Sequence, residues 1–228
     1  MRLHDSNPLS LPAFNFQLPT LVRMDSVVIT LQEWSPNGPL HSSHLGPADQ
    51  VRLAKLKSSL AQAEFIAGRT ALYHAALALG MDISTCDVES NPKSGKPSLD
   101  ASQECCNFSI AHTAGLACCV ASSEYEVGCD CERWNRSLNI DSLSFLLRTN
   151  FRDNRECLVE WTKLEALLKL RGLRLADAVG SEGRLTSSVS AWLCEHRDFA
   201  VSFDLNERFV VSYCVERDLP RVISSRLD

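Results

Sequence analysis

Asp130 and Glu132 stand two residues apart in Val127-Gly128-Cys129-Asp130-Cys131-Glu132. Read as a short strand, this stretch puts Val127, Cys129 and Cys131 on one face and the two carboxylates on the other. Their Cα atoms are then about 6.5–7 Å apart. Like charges that close resist joint ionisation unless a cation sits between them. Oxygen-only ligands suit a hard ion such as Mg2+. The competing reading is a solvent-facing edge strand whose carboxylates bind nothing.

A second chemical stretch is Trp161-Thr162-Lys163-Leu164-Glu165-Ala166-Leu167-Leu168-Lys169, which carries a helical pattern. Glu165 and Lys169 are spaced i, i+4 and share a face. Alone they make a surface ion pair worth about a few tenths of a kcal/mol. The functional reading has Glu165 join Asp130 and Glu132 around a cation while Lys169 reaches a phosphate. Lys96 lies between Gly95 and Pro97. The glycine allows close backbone approach to a ligand and the proline stiffens the turn. A phosphate contact and an exposed loop lysine are both open there. His112 reads either as a ligand contact or as a satisfied histidine at a strand end. Arg69, on a helix, is either functional or solvated.

These groups need elements to carry them. Residues 1–22, rich in Pro, Asn and Ser, read as an N-terminal arm. Val27–Leu31 reads as a first strand. Asp49 is expected to cap a helix through Val51, Leu53, Leu56 and Leu60. An Ala-rich helix follows over 63–79, ended by Gly80. Ser90–Leu99 reads as a loop. Strands are expected over 108–111 and 116–121, with His112-Thr113-Ala114-Gly115 as the turn between them. Beyond the carboxylate strand come a short amphipathic helix over 138–149 and the Glu165 helix, capped by Asp153 or Asn154. Strands over 189–194, 199–203 and 209–215 close the chain.

The order strand, two helices, strands thus occurs twice. The expected fold class is α+β, built as two pseudo-symmetric α+β halves with the active site in the cleft between them. The N-terminal half covers 23–124 and the C-terminal half, carrying the metal site, covers 125–228.

A net charge of −5 gives no general signal for nucleic acid or membrane binding. No run is long and apolar enough to span a bilayer, and no export signal is read at the N-terminus. Ten cysteines without such a signal point to a reducing, cytoplasmic setting. None has the C-x2-C spacing of a zinc site, so most are read as small buried apolar residues.

Taken together, the stretches resemble the 4'-phosphopantetheinyl transferases, in particular the broad-specificity kind that acts as one two-lobed chain. The family's four motifs occur in order. Gly95-Lys96-Pro97 is the first, and Phe108-Ser109-Ile110-Ala111-His112-Thr113 resembles the second. Gly128-Cys129-Asp130-Cys131-Glu132 is the third, and Trp161 through Lys169 resembles the fourth. Three positions depart from the pattern. Leu164 stands where the fourth motif has Lys before Glu, with Lys163 adjacent. Ala111 replaces a Ser before His112. Glu64 stands where Arg often precedes Phe65.

The resemblance implies transfer of the 4'-phosphopantetheine arm of coenzyme A to a serine of an apo acyl or peptidyl carrier protein, with release of adenosine 3',5'-bisphosphate. Mg2+ would be held by Asp130, Glu132 and Glu165. Asp130, Glu165 and Lys169 would serve catalysis, with Glu165, directly or through a metal-bound water, accepting the serine proton. Lys96, Pro97, His112, Thr113, Lys169 and Arg69 would contact coenzyme A. A monomer is expected. Two alternatives stand beside this: a non-catalytic or weakly active relative that binds coenzyme A or a carrier, and another Mg2+-dependent enzyme of nucleotide pyrophosphates. The segment between the third and fourth motifs carries Arg133, Arg136, Arg148, Arg152 and Arg155 and reads as a basic surface for an acidic carrier.

Overall fold

Leu116-Ala117-Cys118-Cys119-Val120-Ala121-Ser122 shows no polar alternation, and in the computed structural model all seven side chains are buried. Such a run fits a strand covered on both faces. The structure describes residues 19–24, 26–35, 38, 44–84, 86–90, 95–99 and 106–216. The strand 116–122 is β6, in a four-stranded antiparallel sheet with β1 (Thr20–Met24), β2 (Val27–Glu33) and β5 (Asn107–Thr113), in the order β1-β2-β6-β5. A second sheet holds β7 (Glu126–Arg133), β8 (Ala200–Leu205) and β9 (Phe209–Glu216) in the order β7-β9-β8. The short strands β3 (Val88–Ser90) and β4 (Pro97–Leu99) pair with each other.

The helices are α1 (Pro47–Lys55), α2 (Ser59–Ala78), α3 (Ile140–Leu147), α4 (Asn154–Leu170), α5 (Leu175–Ala178) and α6 (Ser187–His196). The fold is mixed α+β. In each half the second strand of a late hairpin inserts beside an early strand, giving β2-β6-β5 in one half, where two helices intervene, and β7-β9-β8 in the other, where four do.

The two sheets pack face to face. Val27, Ile29, Leu31, Cys118 and Val120 meet Val127, Cys129, Cys131, Phe209 and Val211 in one core. Helix α2 covers the outer face of the first sheet, where Cys119, Ala121 and Phe108 meet Ala71, Leu72 and Ala75. Helix α4 covers the outer face of the second sheet through Ala166, Leu167 and Leu170. Each helix is capped by a side-chain oxygen, Ser58 accepting from Ala61 N and Asp153 from Glu156 N. All nine described cysteines are free, and only Cys194 is exposed. Among the described residues no helix is long and apolar enough to cross a membrane.

Several elements differ from expectation. The stretch 189–194 is not a strand but lies within α6. Thr186 accepts from Val189 N at 3.4 Å to start the helix, and Val189 and Leu193, spaced i, i+4, pack with the core between α3 and α4. Asp49 caps nothing. Gly46 holds that position with Pro47 inside the first turn, and Asp49 is buried within α1. The chain leaves the helix at Leu56, and Leu60 belongs to α2. His112 and Thr113 continue β5, leaving Ala114-Gly115 as the turn, with Gly115 at φ 92°. The expected loop 90–99 contains β4, and residues 91–94 lie outside the described residues, as does most of the arm. Its last residues, from Thr20, form part of β1.

Candidate active site at the seam between the halves

Gly128 brings β7 and α4 together. A Cβ there would stand 2.7 Å from Leu170 N and nearer still to the Ala166 carbonyl, so only glycine fits. The alternation of the strand then sends Asp130 and Glu132 to the α4 side and Cys129 and Cys131 into the core. Both acids are 8% exposed, so they do not belong to a solvent-facing strand. Beside Asp130 the sheet continues this polar row with Ser212 and Ser202, its successive cross-strand partners. Ser212 lies 2.7 Å from the Thr162 hydroxyl of α4, which ties the helix over the row.

Helix α4 then supplies Glu165 and Lys169. Lys169 Nζ donates to Asp130 Oδ1 at 2.7 Å. Burial alone would lower the Lys169 ammonium, but the Asp130 carboxylate outweighs it and holds the ammonium above its ordinary value. Glu132 is held from two directions. The Arg136 guanidinium pairs with its Oε1, and the Thr113 hydroxyl, from the other half of the molecule, donates to its Oε2 at 3.3 Å. Burial pushes the Glu165 carboxyl above its usual range and the Asp130 charge adds to this, while Lys169 and Arg136 pull it back.

Three carboxylates thus face two cations, leaving one negative charge in excess. Among the described residues no three His, Cys, Asp or Glu side chains are gathered as ligands of a metal ion. Asp130 and Glu132 each give an oxygen to Lys169 or Arg136 instead. The donor chemistry nevertheless fits a hard divalent cation. All candidate ligands are carboxylate oxygens, and Lys169 and Arg136 balance only two of the three charges.

Strands β5 and β7 run side by side at this seam, Cys129 N donating to Ser109 Oγ at 3.1 Å. Near the start of the two strands lies a cavity of about 650 Å³. Lys96, Pro97, Asn107 and Phe108 line it from one half, and Glu126, Leu170, Arg171 and Asp177 from the other. Its size suits a small-molecule ligand. Lys96 Nζ donates to Glu126 Oε2 at 2.8 Å. At the far end of β5, His112 is half exposed with Nδ1 3.9 Å from Glu64 Oε2.

The structure brings Asp130, Glu132, Glu165, Lys169 and Thr113 together and places Lys96 and Pro97 at the cavity, while His112 turns its ring toward Glu64 of α2. It does not bring Arg69 there as a free cation. Arg69 is buried, donates from Nε to Asp49 Oδ2 at 2.7 Å and lies over the Phe65 ring, joining α1 to α2. Leu164 is 3% exposed in the core with Leu143, Leu146 and Leu168. Lys163 is paired with Glu160 and projects about 160° around the helix from Glu165, so it does not stand in for the missing lysine. Sequence reasoning placed Arg136 only in a basic segment and missed its bond to Glu132. The available signal was its i, i+4 spacing from a carboxylate at the end of a strand.

Scanned against models of known protein families the chain matches none, and no curated protein matches it.

Proposed function

We propose that this protein transfers the 4'-phosphopantetheine arm of coenzyme A to a serine of an apo carrier protein in the cytoplasm. The observation that carries this reading is the gathering of four ordered motifs along one seam. The third and fourth motifs meet directly, through Lys169 on Asp130. The end of the second reaches the third through Thr113 on Glu132. The first lines the cavity at the start of β5 and β7 through Lys96 and Pro97. The matching strand orders of the two sheets agree with the two-lobed architecture of the 4'-phosphopantetheinyl transferases.

Asp130, Glu132 and Glu165 would hold Mg2+, which when bound neutralises charge on the pyrophosphate of coenzyme A. Lys169 and Lys96 contribute fixed positive charge for phosphate oxygens, His112 holds the 3'-phosphate, and Thr113 contacts coenzyme A beside Glu132. The serine oxygen bonds to the phosphorus that carries the pantetheine arm. The bond from that phosphorus to the bridging oxygen breaks, and adenosine 3',5'-bisphosphate leaves. Glu165, directly or through a water, accepts the serine proton. Catalysis of this kind is mainly positioning and charge stabilisation.

Release of adenosine 3',5'-bisphosphate, followed by chromatography with and without apo carrier, tests the reading. Carrier-dependent release supports it. Consumption of coenzyme A at the same rate without carrier would identify a nucleotide-pyrophosphate hydrolase instead. Binding of coenzyme A with no release would identify a non-catalytic relative.

A further inference from the structure

Arg136 lies outside all four motifs, in the turn that leaves β7. Its backbone is fixed. Arg136 N donates to Arg133 O at 3.0 Å, and its carbonyl accepts from Asn154 Nδ2 at 2.8 Å. Leu138 N in turn donates to Asn154 Oδ1 at 2.9 Å. The turn is thereby tied to the first residue of α4. The side chain is not tied in this way. It is 46% exposed, yet folds back onto Glu132, whose side chain is only 11% exposed. With Thr113 on the other oxygen, both oxygens of Glu132 are satisfied from within the chain.

We infer that Arg136 is an internal counter-ion of the carboxylate site, which holds Glu132 until a divalent cation takes its place and so sets the affinity for that cation. The inference rests on the reading of Asp130, Glu132 and Glu165 as cation ligands. A carboxylate this buried is costly to leave uncompensated, so without a divalent ion some cation must cover it. Arg136 and a divalent ion drawn to the Glu132 carboxylate repel one another as like charges at close range. The ion therefore binds best to molecules in which Arg136 has swung away, and its apparent affinity is lowered by the fraction in that state. Lys169 is unsuited to the same role, because it is rooted in α4, bonded to Asp130 and less exposed, at 30%. Arg136 sits at the rim on a long side chain with solvent to move into. It is thus a positioning residue, acting through Glu132.

The test is calorimetric titration of Mg2+ alone into the metal-free full chain, with thermal unfolding recorded in EDTA and in Mg2+. Arg136→Gln should bind Mg2+ about 3–10-fold tighter than the parent, the scale expected for removal of one partly exposed ion pair. It should also melt lower in EDTA and gain more from Mg2+. Arg136→Lys keeps the charge but loses the fork, and should fall between the two. Arg136→Gln that unfolds in EDTA and refolds on adding Mg2+ supports the inference as well. If Arg136→Gln does not fold in either condition, Arg136→Lys decides in its place. Affinity equal to or weaker than that of the parent, in whichever variant decides, overturns the counter-ion role and leaves the cation site standing. A parent chain that binds no Mg2+ overturns the cation site and this inference together.

Discussion

Gly128 in β7 and Leu170 in α4 approach so closely that a Cβ on the glycine would stand 2.7 Å from the Leu170 nitrogen. The atoms in the way are helix backbone, which cannot rotate aside as a side chain can. Gly128→Ala should therefore push α4 off the sheet, at a cost of about 3 kcal/mol, the upper range of overpacking. Because α4 carries Glu165 and Lys169, activity should fall with stability. Urea denaturation measures the loss, and one below about 1 kcal/mol would mean that the helix is not seated on this strand.

Leu164 and Lys163 separate core from surface on the same helix. Leu164 packs with Leu143, Leu146 and Leu168, so Leu164→Lys, although it restores the commoner residue of the motif, places a charge in an apolar core. A destabilisation of about 3 kcal/mol or more is expected. Lys163→Ala removes only a partly exposed pair with Glu160 and should leave both stability and coenzyme A affinity nearly unchanged. Thermal melts and coenzyme A titration of the two variants check this; a tenfold loss of coenzyme A affinity in Lys163→Ala would restore Lys163 to the site.

Glu165 gives the metal-free protein a pH signature. Its carboxyl is raised in the folded state, first by burial and then by Asp130, so the folded protein holds this proton more tightly than the unfolded chain. The resulting stabilisation is fully present below the unfolded value, about pH 4.3, and is lost as pH rises through the folded value. Glu165→Gln removes that dependence. In EDTA the variant should have the higher urea midpoint at pH 8, with the gap closing toward pH 4. A parent that outlasts Glu165→Gln at pH 8 would show that Glu165 is not under charge strain.

Much of this site is legible in the sequence because β7 alternates in period two, so Asp130 and Glu132 had to share a face. The i, i+4 spacing of Glu165 and Lys169 likewise put both on one side of a helix. The errors share one physical source, tertiary contacts that override local pattern. The run from Val189 to Cys194 is β-prone in composition, yet a Thr186 cap and the contacts of Val189 and Leu193 make it helical. Asp49 has the chemistry of a cap, but an arginine 20 positions along draws it inward. That the α4-facing side of an outer strand is buried cannot be read from alternation alone.

The basic segment after β7 divides into engaged and available arginines. Arg155 is bonded to Asp204 and stacked on Trp134, and Arg136 pairs with Glu132. Arg148 is exposed at the end of α3, and Arg152 is 85% exposed and pairs with Glu156. An acidic carrier should therefore feel Arg148 and Arg152 most. Arg148→Glu together with Arg152→Glu should raise the KM for carrier several-fold, equivalent to about 1 kcal/mol, with the KM for coenzyme A nearly constant. The effect should shrink at high salt. Equal carrier KM values for variant and parent at low salt would place docking elsewhere.

The central claim, that Asp130 and its neighbours form the site of phosphopantetheine transfer, is tested most directly by the intact mass of an apo carrier after incubation with coenzyme A, Mg2+ and enzyme. The parent should add one phosphopantetheine arm to the carrier serine. Asp130→Ala, melting within a few degrees of the parent, should add none, because it removes the carboxylate that Lys169 and the cation both depend on. Asp130→Ala transferring the arm at the parental rate, or a parent that modifies no acyl or peptidyl carrier, would contradict the account.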